Sequence, residues 1–264
     1  MAKYDLTLPS PWMNAAGSLG FTPPAHTAVD WDRFGAFVTN PISLGRRQPA
    51  SNASQISFSG GFLLHTGYPN PGFETTLRRN RAAWSYAPLP VLVHLIPRTA
   101  TELADMIPPL ETCENILGIE IGIAPDISLA EVIELLQAAI SELPVILRLP
   151  LDRALELAQN LESYFTDGRV AAISLGPPRG VLPMPDGGFL RGRLYGPAVL
   201  PAALAVVRAL SQGSLPVIGA GGVYRQQDFD AMLAAGAIAV QLDSVLWRGG
   251  IDRKDIGAAI PAAP

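Results

Sequence analysis

The chain has 264 residues, 48% hydrophobic and 16% charged, with a net charge of −4. That length and apolar content suit one α/β barrel with a large core, and the acidic balance argues against nucleic acid and anionic membrane surfaces as partners. A single cysteine, Cys113, excludes an intrachain disulfide framework and a cysteine-rich zinc site and suits a reducing cytosol.

The opening segment MAKYDLTLPSPWM lacks a charged-then-apolar signal pattern, and no apolar run reaches bilayer length, so a cytoplasmic protein without membrane insertion is expected. Going along the chain, apolar runs predict strands at Trp12–Ala16, Ala36–Thr39, Val91–Leu95, Leu117–Ile121, Pro144–Leu149, Val170–Leu175, Pro216–Gly219 and Ala237–Leu242. Helices are predicted at Phe73–Ala83, Thr101–Thr112, Ser128–Ser141, Asp152–Phe165, Pro197–Leu210 and Gln226–Ala235. Ser128 and Glu131 have capping-box spacing, and Pro197 suits a first helical turn. The runs are apolar throughout, so both strand faces should be covered, as in a parallel sheet wrapped by helices. No glycine fingerprint follows the first strand, which favours a closed (β/α)8 TIM barrel over an open doubly wound sheet. Residues 1–264 are expected to form this single domain, with a short N-terminal extension.

The unit Leu215–Arg248 is the clearest: an apolar strand, the pair Gly221-Gly222, an amphipathic segment and a second apolar strand ending in Asp243-Ser244. Paired glycines let backbone amides approach an anion closely, so the turn is either a phosphate site or a plain tight turn. The long irregular stretches Pro41–Pro71 and Gly176–Pro197 follow the second and sixth strands, where a barrel places its ligand site.

Arginines gather at the same end: Arg46, Arg47, Arg98, Arg148, Arg179, Arg191, Arg193 and Arg225 all lie at or beyond the ends of predicted strands. Guanidinium groups bind carboxylates and phosphates bidentately, which suggests a small anionic ligand with Arg98 and Arg179 as candidate contacts. The competing reading is ordinary ion pairing with Glu74, Glu120, Asp126, Asp152, Asp186 and Asp243. His65 and His94 lie near strand ends and are candidate proton carriers beside Arg148. The scattered histidines and carboxylates lack metal-site spacing.

The segments MNAAGS (13–18), FVTNPISLGRR (37–47), TGYPNPG (66–72), LYGPAVLP (194–201) and VIGAGGVYRQQDFDAMLAAGAIAVQLDS (217–244) occur in the order found in dihydroorotate dehydrogenases, and the chain resembles that family of FMN-dependent barrel enzymes. The resemblance implies FMN contacts at Ala16, Gly17, Asn40, Arg148 and Gly196, a phosphate site at Gly221, Gly222 and Ser244, and a substrate contact at Asn70. It also implies a homodimer.

The departures fall at chemically important places. Asp243 replaces the family's glycine beside the phosphate, Thr39-Asn40-Pro41 replaces a Thr-Lys-Thr, and Arg148 stands for a lysine. The stretch Glu120–Asp126 has no cysteine or serine to act as base, and Gly176-Pro177 replaces an amide-bearing pair. The sequence therefore suggests an FMN oxidoreductase acting on a small, anionic, non-pyrimidine substrate. Two alternatives stay open: a barrel that has lost its flavin and binds another anion or a protein, and a true dihydroorotate dehydrogenase with a shifted site.

Overall fold

The computed structural model describes residues 6–24, 29–165, 168–185, 187–248 and 250–251, with the Arg248 side chain excepted. In chain order its strands are β1 (Trp12–Asn14), β2 (Phe34–Val38), β3 (Ser54–Phe58), β4 (Gly61–His65), β5 (Val91–Leu95), β6 (Ile116–Gly122), β7 (Val145–Pro150), β8 (Ala172–Gly176), β9 (Arg179–Pro183), β10 (Phe189–Tyr195), β11 (Val217–Ala220) and β12 (Ala239–Leu242). The helices are α1 (Phe73–Ser85), α2 (Ala100–Glu111), α3 (Leu129–Ala138), α4 (Ala154–Phe165), α5 (Leu200–Leu210) and α6 (Gln226–Ala234). Each of the eight apolar runs becomes a strand of one closed parallel barrel, ordered β1-β12-β11-β8-β7-β6-β5-β2. All six expected helices form, and the Ser128–Glu131 capping box is present.

Strand side chains alternate between two cores. Outward residues such as Val93, Ile119, Leu147 and Leu175 pack with helix residues including Leu103, Val132, Leu157 and Val207. Inward, Met13, Ala36, Val38, Leu92, Ile146, Ala172, Ile218 and Ala239 fill the barrel itself. Burying a side chain such as Leu92 or Ile146 is worth about 1.5–3 kcal/mol, and both are fully buried.

The two irregular stretches hold structure that the composition did not suggest. β3 and β4 form a hairpin, β9 and β10 another, and β4 pairs with β10 to give a four-stranded antiparallel sheet. The signal was present in Ser59-Gly60, a two-residue turn between alternating segments, with Gly60 at φ +91°. Gly196 (φ +122°) lets the first hairpin close on the chain after β10, since a Cβ there would sit 2.4 Å from the Gly60 carbonyl oxygen. Phe62 and Tyr195 stack, Trp247 packs tilted against both, and its indole donates to the Ser18 carbonyl (2.7 Å), tying the sheet to the loops after β1 and β12. Cys113 is buried, with its thiol against the Pro109 carbonyl. Among the described residues no helix is long and apolar enough to cross a membrane.

Candidate active site

Two residues above the apolar interior layer, the inward positions turn polar. Leu92 is followed by His94, Ile146 by Arg148, Ala172 by Ser174 and Ala239 by Gln241, while β6 contributes Glu120 two residues beyond Gly118. One step higher the inward residues become small or cyclic: Gly122, Pro150 and Gly176. The alternation thus makes a greasy plug, a buried polar layer and an open mouth.

Glu120 is the centre of the polar layer. Its Oε2 accepts from His94 Nδ1 (2.6 Å) and Arg148 Nη1 (3.2 Å), and its Oε1 accepts from Ser174 Oγ and Gln241 Nε2, both at 2.6 Å. Arg148 Nη1 also reaches Gln241 Oε1 at 3.2 Å. Burial works to raise the Glu120 carboxyl, but Arg148, His94 and Ser174 together outweigh it and hold the group well below the usual carboxylate range. Burial, aided by Arg148, lowers His94 despite the opposing pull of Glu120. Glu120 is therefore ionised and His94 neutral at neutral pH. An ionised carboxylate only accepts, so His94 Nδ1 carries the proton and its Nε2 is a bare acceptor.

Above this layer lies a cleft of about 420 Å³ whose lining includes His94, Tyr68, Gly122, Gly176 and Pro177. Its charged lining is five arginines, Arg47, Arg98, Arg148, Arg179 and Arg193, against Asp126 and Glu131. Both carboxylates are engaged elsewhere: Asp126 pairs with Arg191 (2.9 Å), and Glu131 accepts from the Ser128 hydroxyl and amide in its capping box. Of the eight rim arginines only Arg148 and Arg191 have an ion pair among the described residues. Glu74 pairs with Arg78 instead, and Asp186 lies outside the described residues. The ion-pairing alternative thus accounts for two of the eight.

Two of the cleft arginines, Arg179 and Arg193, arrive on the antiparallel sheet. Arg193 on β10 is buried, stands over the Tyr68 ring (3.7 Å) and donates to Tyr195 Oη (3.2 Å) and Thr66 Oγ1 (3.0 Å). Arg179 on β9 is half-buried, and burial together with Arg193 and Arg191 pulls its pKa down, although Tyr68 and Asp126 oppose. His65, on β4, is lowered by burial and then by Arg193 and Arg179, which marks the same positive field. Tyr68, Ser174 and Gln241 carried no signal that the sequence reading used, whereas Arg193 was among the expected rim arginines. Gln241 and Ser174 could have been found as polar residues at alternate positions in otherwise apolar strands.

Other expected site residues make contacts within the scaffold. Asn70 is buried, and its side chain bonds Ser43 N and Oγ, Gly72 N and the Tyr68 carbonyl, so its polar atoms are used in shaping the 43–72 loop. Asn40 Oδ1 accepts from Gly20 N (3.1 Å). A Cβ on Gly222 (φ +77°) would meet the Leu200 amide at 2.4 Å, and one on Gly221 (φ +106°) would press on Val199 at 3.1 Å. These glycines are explained by contact with the start of α5. Arg225 opens α6, where its amide donates to Asp228 (2.9 Å), and Arg46 is exposed.

For a flavin the fit differs between the two ends. Gly17 (φ +88°) is exposed beside Ala16, and a Cβ there would come no nearer than 3.7 Å to Pro41 and 4.0 Å to Tyr68, so open backbone adjoins the cleft. Arg148 stands against Gly176, whose Cβ would be 3.4 Å from Nε, and offers a cation to a planar ring edge. This ring end fits. At the other end, Asp243 Oδ1 accepts from the Ser244 amide (2.5 Å) and hydroxyl (3.0 Å), and Tyr224 Oη lies 2.7 Å from that hydroxyl. An internal carboxylate therefore holds the donors a phosphate would use. Burial raises the Asp243 carboxyl, with Ser244 and Arg148 opposing. The Arg248 side chain, one expected neutraliser, lies outside the described residues, and among those described Arg225 forms no ion pair with Asp243.

A family model described as Dihydroorotate dehydrogenase matches residues 187–262. The chain is similar to the dihydroorotate dehydrogenase B (NAD(+)) catalytic subunit of Geotalea daltonii, 27% identical over 98% of this chain and 93% of that protein. The same-named protein of Methanosarcina acetivorans is 28% identical over 98% of this chain and 88% of its own length. Among solved structures, the dihydroorotate dehydrogenase of Eimeria tenella in complex with ferulenol superposes with a TM-score of 0.70 over 89% of this chain and 76% of that one, at 11% identity, a likeness of fold.

Proposed function

We propose that this closed (β/α)8 barrel, similar to dihydroorotate dehydrogenases, is a flavin-dependent oxidoreductase oxidising a small anionic substrate held in the arginine cleft, and that residues 1–264 act as one barrel domain. The observation that carries this reading is the cleft itself: Arg47, Arg98, Arg179 and Arg193 have no ion-pair partner among the described residues and surround a space over the buried His94. Bound flavin supplies the two-electron acceptor. The cofactor proposed is FMN, with Arg148, Ala16 and Gly17 at its ring and Gly221, Gly222 and Ser244 near its phosphate.

The substrate proposed is a non-pyrimidine carboxylate. Gly122 and Gly176 bring no side-chain amide to the cleft, and the Asn70 amide is already used, so a pyrimidine's polar edge lacks those partners. An unmade hydrogen bond to a buried polar group costs about 1–3 kcal/mol. The second reading, dihydroorotate itself, is favoured by the relatives' names and by its own carboxylate, which suits the same arginines. Denaturing the purified protein and chromatographing the released flavin identifies the cofactor. An anaerobic panel of L-dihydroorotate and small aliphatic carboxylates then separates the readings by which compound bleaches it. Arg98→Ala and Arg179→Ala should each weaken binding of that compound by about 1.5–3 kcal/mol, an effect that shrinks at high salt.

A further inference from the structure

From Gly122 at the end of β6 to Asp126 the chain offers the cleft no free side chain able to take a proton, since Ala124, Pro125 and the glycine at 122 are inert and Asp126 is paired with Arg191. One neighbouring group is built for that task. His94 is only 3% exposed, its Nδ1 is fixed by Glu120 at 2.6 Å, and its backbone amide is held by Thr39 Oγ1 at 3.0 Å. Its Nε2 has no partner among the described residues and sits at the cleft floor beside Gly122, where even a methyl group would intrude to 2.7 Å. The absence of a side chain at 122 is thus what makes room for the imidazole.

We propose that His94 is the catalytic proton acceptor of the cleft and that Glu120 is its positioning residue, an inference that rests on the oxidoreductase reading above. A substrate CH–CH unit gives one hydrogen as a proton to His94 Nε2. The other leaves with its electron pair as a hydride, whose acceptor is the oxidised flavin. A carbon–carbon double bond remains, and the imidazolium passes its proton to water through the open mouth. The charges around the ring suit a base that must rest neutral: Glu120 on β6 fixes the tautomer, Arg148 on β7 disfavours a resting imidazolium, and the β2 neighbour, Thr39, is uncharged. The arginines that hold a carboxylate also favour loss of a proton near it.

The test begins without any cofactor or substrate. The chain has three histidines, so 15N-histidine labelling and long-range 1H–15N correlation resolve each ring. The expected result is a His94 locked as the Nδ1–H tautomer at neutral pH, assigned by loss of its signals in His94→Asn. An Nε2–H tautomer or a doubly protonated ring at neutral pH overturns the proposal. His94→Asn keeps a donor near Glu120 and removes Nε2, and it should slow flavin reduction by roughly 100- to 10,000-fold while substrate affinity changes little. Wild-type reduction should stay level as pH falls to the ordinary histidine pKa of 6.5 and decline below it, and Glu120→Gln should shift that decline. Reduction by His94→Asn within threefold of wild type also overturns the proposal. A colourless wild-type protein that no carboxylate of the panel affects instead defeats the parent reading, and its visible spectrum reveals this before any variant is made.

Discussion

The barrel interior divides into two layers that share one backbone geometry and differ in everything chemical. In the lower layer Leu92, Ile146, Ala172 and Ala239 meet as apolar side chains of graded size. Two residues further along the same strands, His94, Arg148, Ser174 and Gln241 converge on Glu120. The lower layer needs only matched volume, and a methylene lost there costs packing. The upper layer needs every donor and acceptor satisfied, since each ion withdrawn from water is expensive unless paired. Moving two residues up a strand therefore changes the design from space filling to charge balance, and the chemistry sits where that balance leaves one atom, His94 Nε2, unused.

The comparison is broken most severely by removing the centre of the upper layer. Glu120→Ala strands Arg148 and leaves Ser174 and Gln241 without their acceptor, and should cost about 3–5 kcal/mol in urea unfolding. Next in size is Asp243→Gly, at the edge of the same mouth. Freeing the Ser244 amide and hydroxyl removes a carboxylate from the path of a phosphate, and FMN should bind about 1–3 kcal/mol more tightly in a fluorescence-quenching titration. Equal tight binding by both proteins would mean that Asp243 never meets the phosphate.

Much of this was legible in the sequence because the barrel's strands are short apolar runs, while the longer segments between them mix apolar residues with polar ones at helical spacing. The antiparallel sheet was harder. Its strands Ser54–Phe58 and Arg179–Pro183 are half-exposed and carry Ser, Gln, Arg and Gly, so composition marks them as loop while pairing with β4 and β10 makes them strands. Tertiary pairing of this kind overrides local propensity. At the site, His94, Arg98, Arg148 and Arg179 were visible as charged residues near strand ends, and they do line one cleft. Asn70, a substrate contact by resemblance, has an amide that makes five hydrogen bonds to Ser43, Gly72 and Tyr68, a scaffold role that sequence does not reveal. The glycines at 196 and 222, to which the resemblance gives ligand contacts, also stand where a Cβ would meet neighbouring backbone.

Two smaller effects sharpen the contrast between the layers. The lowered pKa of His94 means that the unfolded chain takes up a proton first as pH falls. Stability should therefore drop as pH goes down from the unfolded histidine value of 6.5, at up to about 1.4 kcal/mol per pH unit, and His94→Asn should remove that part of the slope. In the lower layer Ile146→Val should cost only about 0.5–1.5 kcal/mol, with no pH dependence and no change in anion binding, because the lost methyl touches none of the polar groups.

The central claim is that the charged mouth recognises a carboxylate and delivers its carrier to a flavin, and one spectroscopic comparison tests it. Purified protein is made anaerobic, its visible flavin bands are recorded, and it is mixed either with the carboxylate that the panel identifies or with the methyl ester of the same acid. The account predicts rapid bleaching by the acid and at least tenfold slower bleaching by the ester, the equivalent of about 1.4 kcal/mol of lost arginine recognition. Equal bleaching by acid and ester, or a protein without flavin bands, would contradict it.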